Sequence, residues 1–365
     1  MRPVRSWHMR SLSRKTVLVV LGLLALGIVA YQASSLLHLA SFSGSKLLYA
    51  VRDANPYYII LALLAIYSCY GIRSLRWQVF QRNIGNTNFW QIYKLTLAGF
   101  AAIFLLGRAG EPIRPLLLAK KQDLPIADTF GIYVLERIFD MASVAVIAGV
   151  GLVLFGMYPH TGDVASELET AAKTTGTILF AGVLAAAVAL IYLRVHGTAL
   201  LERRLHATIQ TGGWRSSFAR IVLGFVRGVQ TIRTWKDLIL ATVYSGLHWL
   251  VVALVYYWVS QSFTGTLHTL GMADSLLVLA FTLVGSTIQL PGIGGGSQAG
   301  AIIAYTTIFG VEREPAVAAA MVLWAITFAG CSILGVPMLI HEGWGLRELK
   351  RMAAEEKKEV AVALK

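Results

Sequence analysis

The chain has 365 residues, of which 56% are hydrophobic and only 14% are charged, whereas about a quarter of the residues in an average soluble domain are charged. This composition excludes a water-soluble fold. The net charge is +13, but the basic residues lie between long apolar runs instead of forming one continuous face. We therefore expect no nucleic-acid partner and interpret the positive charge as a signal of membrane orientation.

A first apolar run, from Thr16 to Tyr31, follows the basic N-terminal segment 1–15. This arrangement resembles a secretory signal, although in a chain with many later spans such a run can remain as an uncleaved anchor. Further apolar runs occupy, in chain order, residues 57–72, 91–106, 130–157, 174–193, 237–260, 275–290, 298–310 and 315–340. In a bilayer these runs must be helical, because an isolated strand would leave its backbone polar groups unpaired.

The charges between the runs predict which loops are cytoplasmic. The segment 194–236 contains eight Lys or Arg residues and a single Glu, a net charge of +7. Arg73, Arg76 and Arg82 are interpreted as a basic loop after the second run. By the positive-inside rule we expect a multi-pass protein of the cell inner (plasma) membrane, with a cytoplasmic N-terminus and a cytoplasmic charged tail, 342–365.

This orientation requires the chain to enter the membrane and return within residues 91–119. If the run 91–106 crossed the membrane completely, the number of crossings before residue 194 would place the +7 loop outside. A re-entrant hairpin that breaks near Gly107 to Pro115 removes one crossing and returns the loop to the cytoplasmic side. The later runs 275–290 and 298–310 form either two crossings or a second hairpin. The run 298–310 has only 13 residues, fewer than the roughly 17 that an upright span needs, which favours the hairpin.

The predicted fold is an all-α polytopic membrane protein with about six full spans plus two broken or re-entrant hairpins. Its single transmembrane domain covers residues 16–341. The domain consists of two sets of span, span, hairpin and span, with the second set inverted relative to the first. Inverted repeats that carry broken helices are typical of transporters.

An amphipathic helix is predicted inside the basic loop 194–236, with Arg220 and Arg227 lying off its apolar stripe. The apolar residues at helical spacing are Phe218, Ile221, Val222, Phe225, Val229 and Ile232. Such a helix either lies on the cytoplasmic leaflet and recruits anionic lipid, or simply caps the bundle.

Charged residues within the apolar region form the first candidate site, and the charges of these six residues sum to zero. They are Arg108, Glu111, Arg114, Glu136, Arg137 and Asp140. Each would cost roughly 3 kcal/mol if it stood alone at mid-bilayer, so the six groups must pair or face water. They form either a buried polar lock or a site for a phosphate-bearing lipid headgroup, because arginine matches phosphate oxygens bidentately.

The turn of the second hairpin forms another candidate site and is rich in glycine. Its residues are Pro291, Gly292, Gly294, Gly295, Gly296 and Gln298. This turn either presents the N-terminus of the following half-helix to an anion or serves as a packing hinge. It is not a nucleotide-binding loop, since no Lys-Ser or Lys-Thr follows it and it lacks the G-x-G-x-x-G spacing.

No catalytic residue, metal site or cofactor is predicted. The eight histidines show no H-x-x-x-H pairing, no G-x-S-x-G elbow occurs, and Cys69 and Cys331 both lie inside apolar runs. His248, next to Trp249 in an apolar run, is interpreted as a packed or interfacial residue and not as a ligand. We therefore expect that the chain is not an enzyme.

At these motifs the sequence resembles the transmembrane region of the lysylphosphatidylglycerol synthase and flippase family, also described as flippase-like integral membrane proteins. The resemblance covers nearly the whole chain and rests on Gly107 to Arg114, on Pro291 to Gly296, and on the charged residues at 136, 137 and 140. Family members often carry a glutamate where this chain has Gln298. In the full-length synthases a soluble aminoacyl transferase domain follows this region, and we expect none within the sequence up to Lys365.

The resemblance implies translocation or handling of a lipid without aminoacyl transfer. We therefore expect a flippase or translocase for an anionic phospholipid or a polyprenyl-phosphate-linked lipid, with membrane lipids as its partners. The alternative is a membrane-embedded enzyme or an accessory subunit that acts beside a separately encoded glycosyl- or aminoacyl-transferase.

Overall fold

A computed structural model of the chain describes residues 51–85, 88–157, 234–286, 288–290 and 294–341, together with Tyr49, Ile232 and scattered positions between 170 and 192. The first apolar run, most of the basic loop with its predicted amphipathic helix, and the C-terminal tail lie outside the described residues. The described residues from Val51 onward belong to one compact unit.

Helices account for most of the described residues. They are α1 (Pro56–Gln81), α2 (Phe89–Leu106), a 3₁₀ turn (Gly107–Gly110), α3 (Ile113–Lys121), α4 (Ile126–Met157), α5 (Trp235–Ser262), α6 (Thr266–Thr269), α7 (Met272–Gly285), α8 (Gly296–Ile303), a π-helical turn (Ala304–Ile308), α9 (Arg313–Trp324), a second π-helical turn (Ala325–Ala329) and α10 (Gly330–His341). Two short strands, β1 (Gln289–Leu290) and β2 (Gly294–Gly295), pair in antiparallel register between α7 and α8.

Polar side chains fix where the long helices begin. Asn55 accepts a hydrogen bond from the backbone N–H of Tyr57 at 3.0 Å, and Pro56 follows as the first residue of α1, a position that suits proline. Thr234 and Asp237 form a reciprocal capping box at the start of α5. These caps satisfy backbone donors that an unbroken apolar sequence could not satisfy.

Four helical segments of the described chain are long and apolar enough to cross a membrane: Pro56–Gln81, Phe89–Leu106, Trp235–Ser262 and Arg313–His341. Helix α4 has 32 residues, which corresponds to about 48 Å of helix. The all-α polytopic membrane fold predicted from the sequence is therefore confirmed.

The first hairpin consists of α2, the 3₁₀ turn and α3. Helix α3 has only nine residues, about 14 Å, against a hydrocarbon core of about 30 Å. It runs back along α2, because the side chain of Gln91 near the start of α2 donates to the carbonyl of Lys121 at 3.3 Å. The chain therefore returns to the end from which it entered, as the charge parity of the sequence predicts.

The second hairpin consists of α7, the β1–β2 turn and α8. Helix α7 has 14 residues, or about 21 Å, which is short for an upright span. Its two arms pack backbone against backbone, since a Cβ added at Gly300 would collide with the carbonyl oxygen of Phe281. The short arms favour the hairpin alternative for this region.

The two halves of the described chain run in opposite directions. Helices α1 and α5 are antiparallel neighbours: the backbone N–H of Asn55 donates to the carbonyl of Ser262 at 2.7 Å. At the opposite end Arg82 forms an ion pair with Asp237, and Asn83 donates to the same carboxylate at 3.2 Å. Since α1 and α5 are the equivalent helices of the two sets, this arrangement is an inverted repeat.

Each hairpin packs against the final span of the other half, which is α4 in the first half and Arg313–His341 in the second. Helix α2 lies along α10, and helix α7 lies along α4. The tips also approach one another, because strand β1 lies beside the 3₁₀ turn Gly107–Gly110. The two broken segments therefore meet inside the bundle after entering from its two ends.

The structure corrects one sequence interpretation. The second run was expected to end at residue 72, with Arg73 and Arg76 in a basic loop, but α1 continues to Gln81 and both arginines are buried. Their charge is tolerated inside the bundle because carboxylates from α4 pair with it, a long-range contact that the local hydropathy of α1 does not encode.

Candidate functional site

A buried cluster of charged and polar side chains lies where four helices meet. Helix α1 contributes two arginines, α3 one arginine, α4 an arginine and two carboxylates, and α5 a serine and a histidine. The residues are Arg73, Arg76, Arg114, Glu136, Arg137, Asp140, Ser245 and His248. The structure thus brings together four of the six charged residues predicted for this site.

Glu136 lies at the centre of the cluster and is 1% exposed. Its carboxylate accepts hydrogen bonds from Arg73 at 2.8 Å, from Arg76 at 3.0 Å and from Arg114 at 2.8 Å. Asp140, one helical turn further along α4, accepts from Arg73 at 2.7 Å and from Arg76 at 2.8 Å. Each arginine of α1 therefore bridges both carboxylates, an arrangement that repays part of the cost of burying these charges.

Arg114 is the arginine that the first hairpin brings to the cluster. Its guanidinium group stacks over the ring of Trp77, 4.6 Å from the centroid, and lies 5.6 Å from that of Phe100. Helix α2 can approach α3 at this point because residue 99 of α2 is glycine. A Cβ added there would lie 2.5 Å from the Cβ of Arg114. Nη1 of Arg114 contacts Glu136, but Nε and Nη2 are buried and donate to no acceptor among the described residues.

Arg137 differs from the other three arginines because 37% of its side chain is exposed. One nitrogen lies 3.0 Å from Asp140 and 3.7 Å from Glu136. The guanidinium group rests over the ring of Tyr133, 5.4 Å from its centroid. The hydroxyl of Tyr133 in turn donates to Glu111, at the tip of the first hairpin, at 2.7 Å.

Helix α5 contributes two polar contacts that the sequence interpretation missed. Arg76 donates to the hydroxyl of Ser245 at 2.9 Å, and a nitrogen of Arg73 lies 3.3 Å from Nε2 of His248. His248 is buried beside Trp249, as expected for a packed residue. The signal available in the sequence was the shared spacing of three residues, which places each pair on one helix face.

The cluster carries more positive than negative charge. Four arginines face two carboxylates, Glu136 and Asp140, so two positive charges are in excess. The sequence interpretation of an electrically balanced group omitted the two arginines of α1. The side chain of Arg108 lies outside the described part of the structure.

All of these residues lie towards one end of the bundle. Arg76 is five residues before the end of α1 at Gln81, and Asp140 is 14 residues after the start of α4 at Ile126. These separations correspond to depths of about 8 Å and about 21 Å along the helices. The cluster therefore lies nearer the end marked by the Arg82–Asp237 ion pair.

The glycine-rich turn of the second hairpin is closed by its own side chains. Gln298 accepts hydrogen bonds from the backbone N–H of Gly295 at 2.6 Å and from the hydroxyl of Ser297 at 3.2 Å. The N–H of Gly296 donates to the carbonyl of Ile288 at 3.1 Å. Two donors that an anion would use are thus already bonded, which favours the hinge alternative. Pro291 and Gly292 lie outside the described residues.

The described residues contain no group of three or more His, Cys, Asp or Glu side chains that could hold a metal ion. The polar chemistry of the cluster is instead that of arginine N–H donors. Such donors suit an oxyanion, above all a phosphate or a carboxylate.

Comparison with known proteins places these features in a wider group. The family described as "Lysylphosphatidylglycerol synthase TM region" matches residues 16–335. A UPF0104 membrane protein of Methanothermobacter thermautotrophicus is 24% identical over 352 residues, covering 89% of this chain and 96% of that protein. Glycosyltransferase AglD of Haloferax volcanii is 26% identical over 136 residues, covering 34% of this chain and 20% of that protein. No solved structure matches significantly.

Proposed function

Because the chain belongs to the family of the lysylphosphatidylglycerol synthase TM region, we propose that it moves a phosphate-bearing lipid between the two leaflets of the membrane. The lipid is an anionic phospholipid or a polyprenyl-phosphate-linked lipid. Its headgroup enters the arginine cluster while its chains remain in the bilayer. This is a transport function, and no covalent step is assigned to the protein.

The observation that carries the proposal is the excess of two positive charges in a largely buried cluster, together with the Nε and Nη2 donors of Arg114, which meet no acceptor among the described residues. Uncompensated positive charge inside a membrane protein costs several kcal/mol, so such charge marks a functional site more often than a purely structural one. A phosphate ester supplies both the negative charge and the oxygen acceptors.

The architecture supports the same proposal. Two broken hairpins enter an inverted repeat from opposite ends and meet near their tips, and substrate sites of transporters commonly lie at such meeting points. We place the end nearest the cluster on the cytoplasmic side of the plasma membrane, since the +7 segment 194–236 leads directly into α5 at that end.

Reconstitution into liposomes tests this function directly. Vesicles that contain the purified chain and headgroup-labelled phosphatidylglycerol should lose inner-leaflet label to a membrane-impermeant quencher much faster than protein-free vesicles. Labelled glucosylceramide, which has no phosphate, should exchange at the protein-free rate. Equal rates for phosphatidylglycerol with and without the protein would reject the translocase function.

Arg114→Gln separates a headgroup site from a purely structural lock. If Arg114 only holds Glu136, its loss should destabilise the fold by roughly 3 to 5 kcal/mol. If it receives phosphate, lipid exchange per folded molecule should fall steeply, and Arg73 and Arg76, which still pair with Glu136, should keep the variant folded. Lost stability with normal exchange per folded molecule would remove Arg114 from the site.

A second candidate function follows from the partial similarity to glycosyltransferase AglD. The chain would then serve as a membrane-embedded partner of a separately encoded transferase, or as an enzyme of envelope lipid modification. In that case lipid exchange would stay at the protein-free rate, and a transferase would purify with the chain from native membranes.

A further inference from the structure

Arg137 differs from the other three arginines of the cluster in its role in pairing the two buried carboxylates. Arg73 and Arg76 each contact both carboxylates, and Arg114 contacts Glu136 through Nη1. Glu136 and Asp140 therefore remain paired even when Arg137 is absent. The contact of Arg137 with Asp140 is additional, and breaking it leaves no buried carboxylate without an arginine.

Arg137 is also less enclosed than the other three arginines. Its side chain is 37% exposed, whereas the side chains of the other three are at most 9% exposed. One contact at 3.0 Å joins it to Asp140, and its 3.7 Å distance to Glu136 exceeds a hydrogen bond. A partly exposed ion pair of this kind contributes little to stability.

The surroundings of Arg137 place it at the exposed edge of the cluster. Its guanidinium group lies over Tyr133, whose hydroxyl is fixed by Glu111 at the tip of the first hairpin. Arg137 and Arg114 also approach the same oxygen of Glu136, at 3.7 Å and 3.0 Å. An oxyanion bound by Arg137 would therefore lie near the guanidinium group of Arg114, whose Nε and Nη2 donate to no acceptor among the described residues.

We propose that Arg137 is the residue that captures the lipid phosphate, by exchanging its contact with Asp140 for the phosphate oxygens and passing them towards Arg114. The inference rests on the proposed function for the identity of the ligand, a lipid phosphate ester. Arg73 and Arg76 take no part in capture and hold the two carboxylates. Asp140 competes with the phosphate for Arg137, which makes binding reversible.

Lipid-dependent thermal stabilisation of the full chain in detergent micelles tests the inference without requiring transport. The probes are dioleoylphosphatidylglycerol, dioleoylglycerol with the same chains but no phosphate, and inorganic phosphate. Of these three probes, only phosphatidylglycerol should raise the melting temperature of wild type. Arg137→Gln should melt near the wild-type temperature without lipid and should need about tenfold more phosphatidylglycerol for the same stabilisation, which corresponds to about 1.4 kcal/mol of binding.

Arg82→Gln is the matched control. Arg82 is 38% exposed and also forms an ion pair with a buried aspartate, Asp237, but it lies outside the cluster. This variant should respond to phosphatidylglycerol as wild type does. Arg137→Lys keeps the charge but not the planar pair of donors, so its response should lie between those of wild type and Arg137→Gln.

Each outcome bears on a different claim. Equal lipid requirements for wild type and Arg137→Gln, or no stabilisation of wild type by phosphatidylglycerol, would overturn the capture role. Stabilisation by inorganic phosphate equal to that by phosphatidylglycerol would show that the ligand is free phosphate and would overturn the lipid assignment. Arg137-dependent binding without lipid exchange in liposomes would reject the translocase function and leave the capture role standing.

Discussion

Glu136 is the residue on which most of the cluster depends, because three arginines from two other helices donate to its carboxylate. The sequence was sufficient to place Glu136 and Asp140 on one helix face and to connect them with Arg114 and Arg137. It was not sufficient to include Arg73 and Arg76. Those arginines follow the end of an apolar run. At such a position the local sequence does not distinguish arginines in a basic loop from arginines that form buried ion pairs.

Replacing Glu136 with glutamine should destabilise the protein by about 3 to 5 kcal/mol, because buried arginines would lose the carboxylate that they share. The free energy of unfolding can be measured in mixed micelles of increasing denaturing detergent. Glu312→Gln, at an exposed position, is the control and should change stability by less than about 0.5 kcal/mol. A stability loss for Glu136→Gln no larger than that of the control would show that Glu136 does not hold the arginines together.

At the scale of the elements, glycines decide how closely helices approach. A Cβ added at Gly335 of α10 would meet the carbonyl oxygen of Leu97 and would lie 2.8 Å from the Cβ of Ala101, both on α2. This contact joins the first hairpin to the final span of the other half. The sequence did not predict this contact, because hydropathy does not show which helix packs against a single glycine in an apolar run.

Gly335→Ala should therefore destabilise the protein by about 1 to 3 kcal/mol, since α2 and α10 must move apart. Gly246→Ala is the matched control, because a Cβ at Gly246 meets no atom of the described residues within 4 Å. The control should be neutral or slightly stabilising, as expected for alanine in a helix. Thermal unfolding of both variants in detergent measures the difference, and equal melting temperatures would contradict the close packing.

Gln298 shows what the second hairpin requires at its tip. Its side-chain oxygen acts only as an acceptor for Gly295 and Ser297, and a carboxylate can accept the same two hydrogen bonds. The tip therefore requires an oxygen acceptor at this position, which either an amide or a carboxylate can supply.

We expect Gln298→Glu to retain stability and Gln298→Ala to lose about 1 kcal/mol, the usual size of a capping hydrogen bond at a helix N-terminus. Unfolding in mixed micelles compares the three proteins. A glutamate variant as unstable as the alanine variant would mean that the amide nitrogen, and not the oxygen, is the group that the tip requires.

For the whole molecule, the inverted repeat was predicted from the loop charges and the number of membrane crossings that they require. A net charge of +7 in residues 194–236 forced a return of the chain at residues 91–119, and Gln91 and Lys121 do meet at the base of that hairpin. The exchange of packing between the halves could not be predicted, because α2 with α10 and α7 with α4 are contacts between segments far apart in sequence.

Cysteine labelling tests the orientation of this fold in the membrane. After Cys69 and Cys331 are replaced, cysteines introduced at the exposed positions Lys120 or Lys121 should react only with reagent on the cytoplasmic side. A cysteine at Thr269, which is exposed near the opposite end of α5, should react only from outside. Labelling of Lys121→Cys from outside would contradict the assignment of the hairpin base.

The central claim is that the arginine cluster binds a phosphate-bearing lipid, and native mass spectrometry of the chain purified in mild detergent tests it most directly. Wild type should retain about one phosphate-bearing lipid per molecule, enriched over its share of the source membrane, and Arg137→Gln should lose that lipid whereas Arg82→Gln should keep it. Lipids retained in the proportions of the source membrane, or retained equally by the two variants, would contradict it.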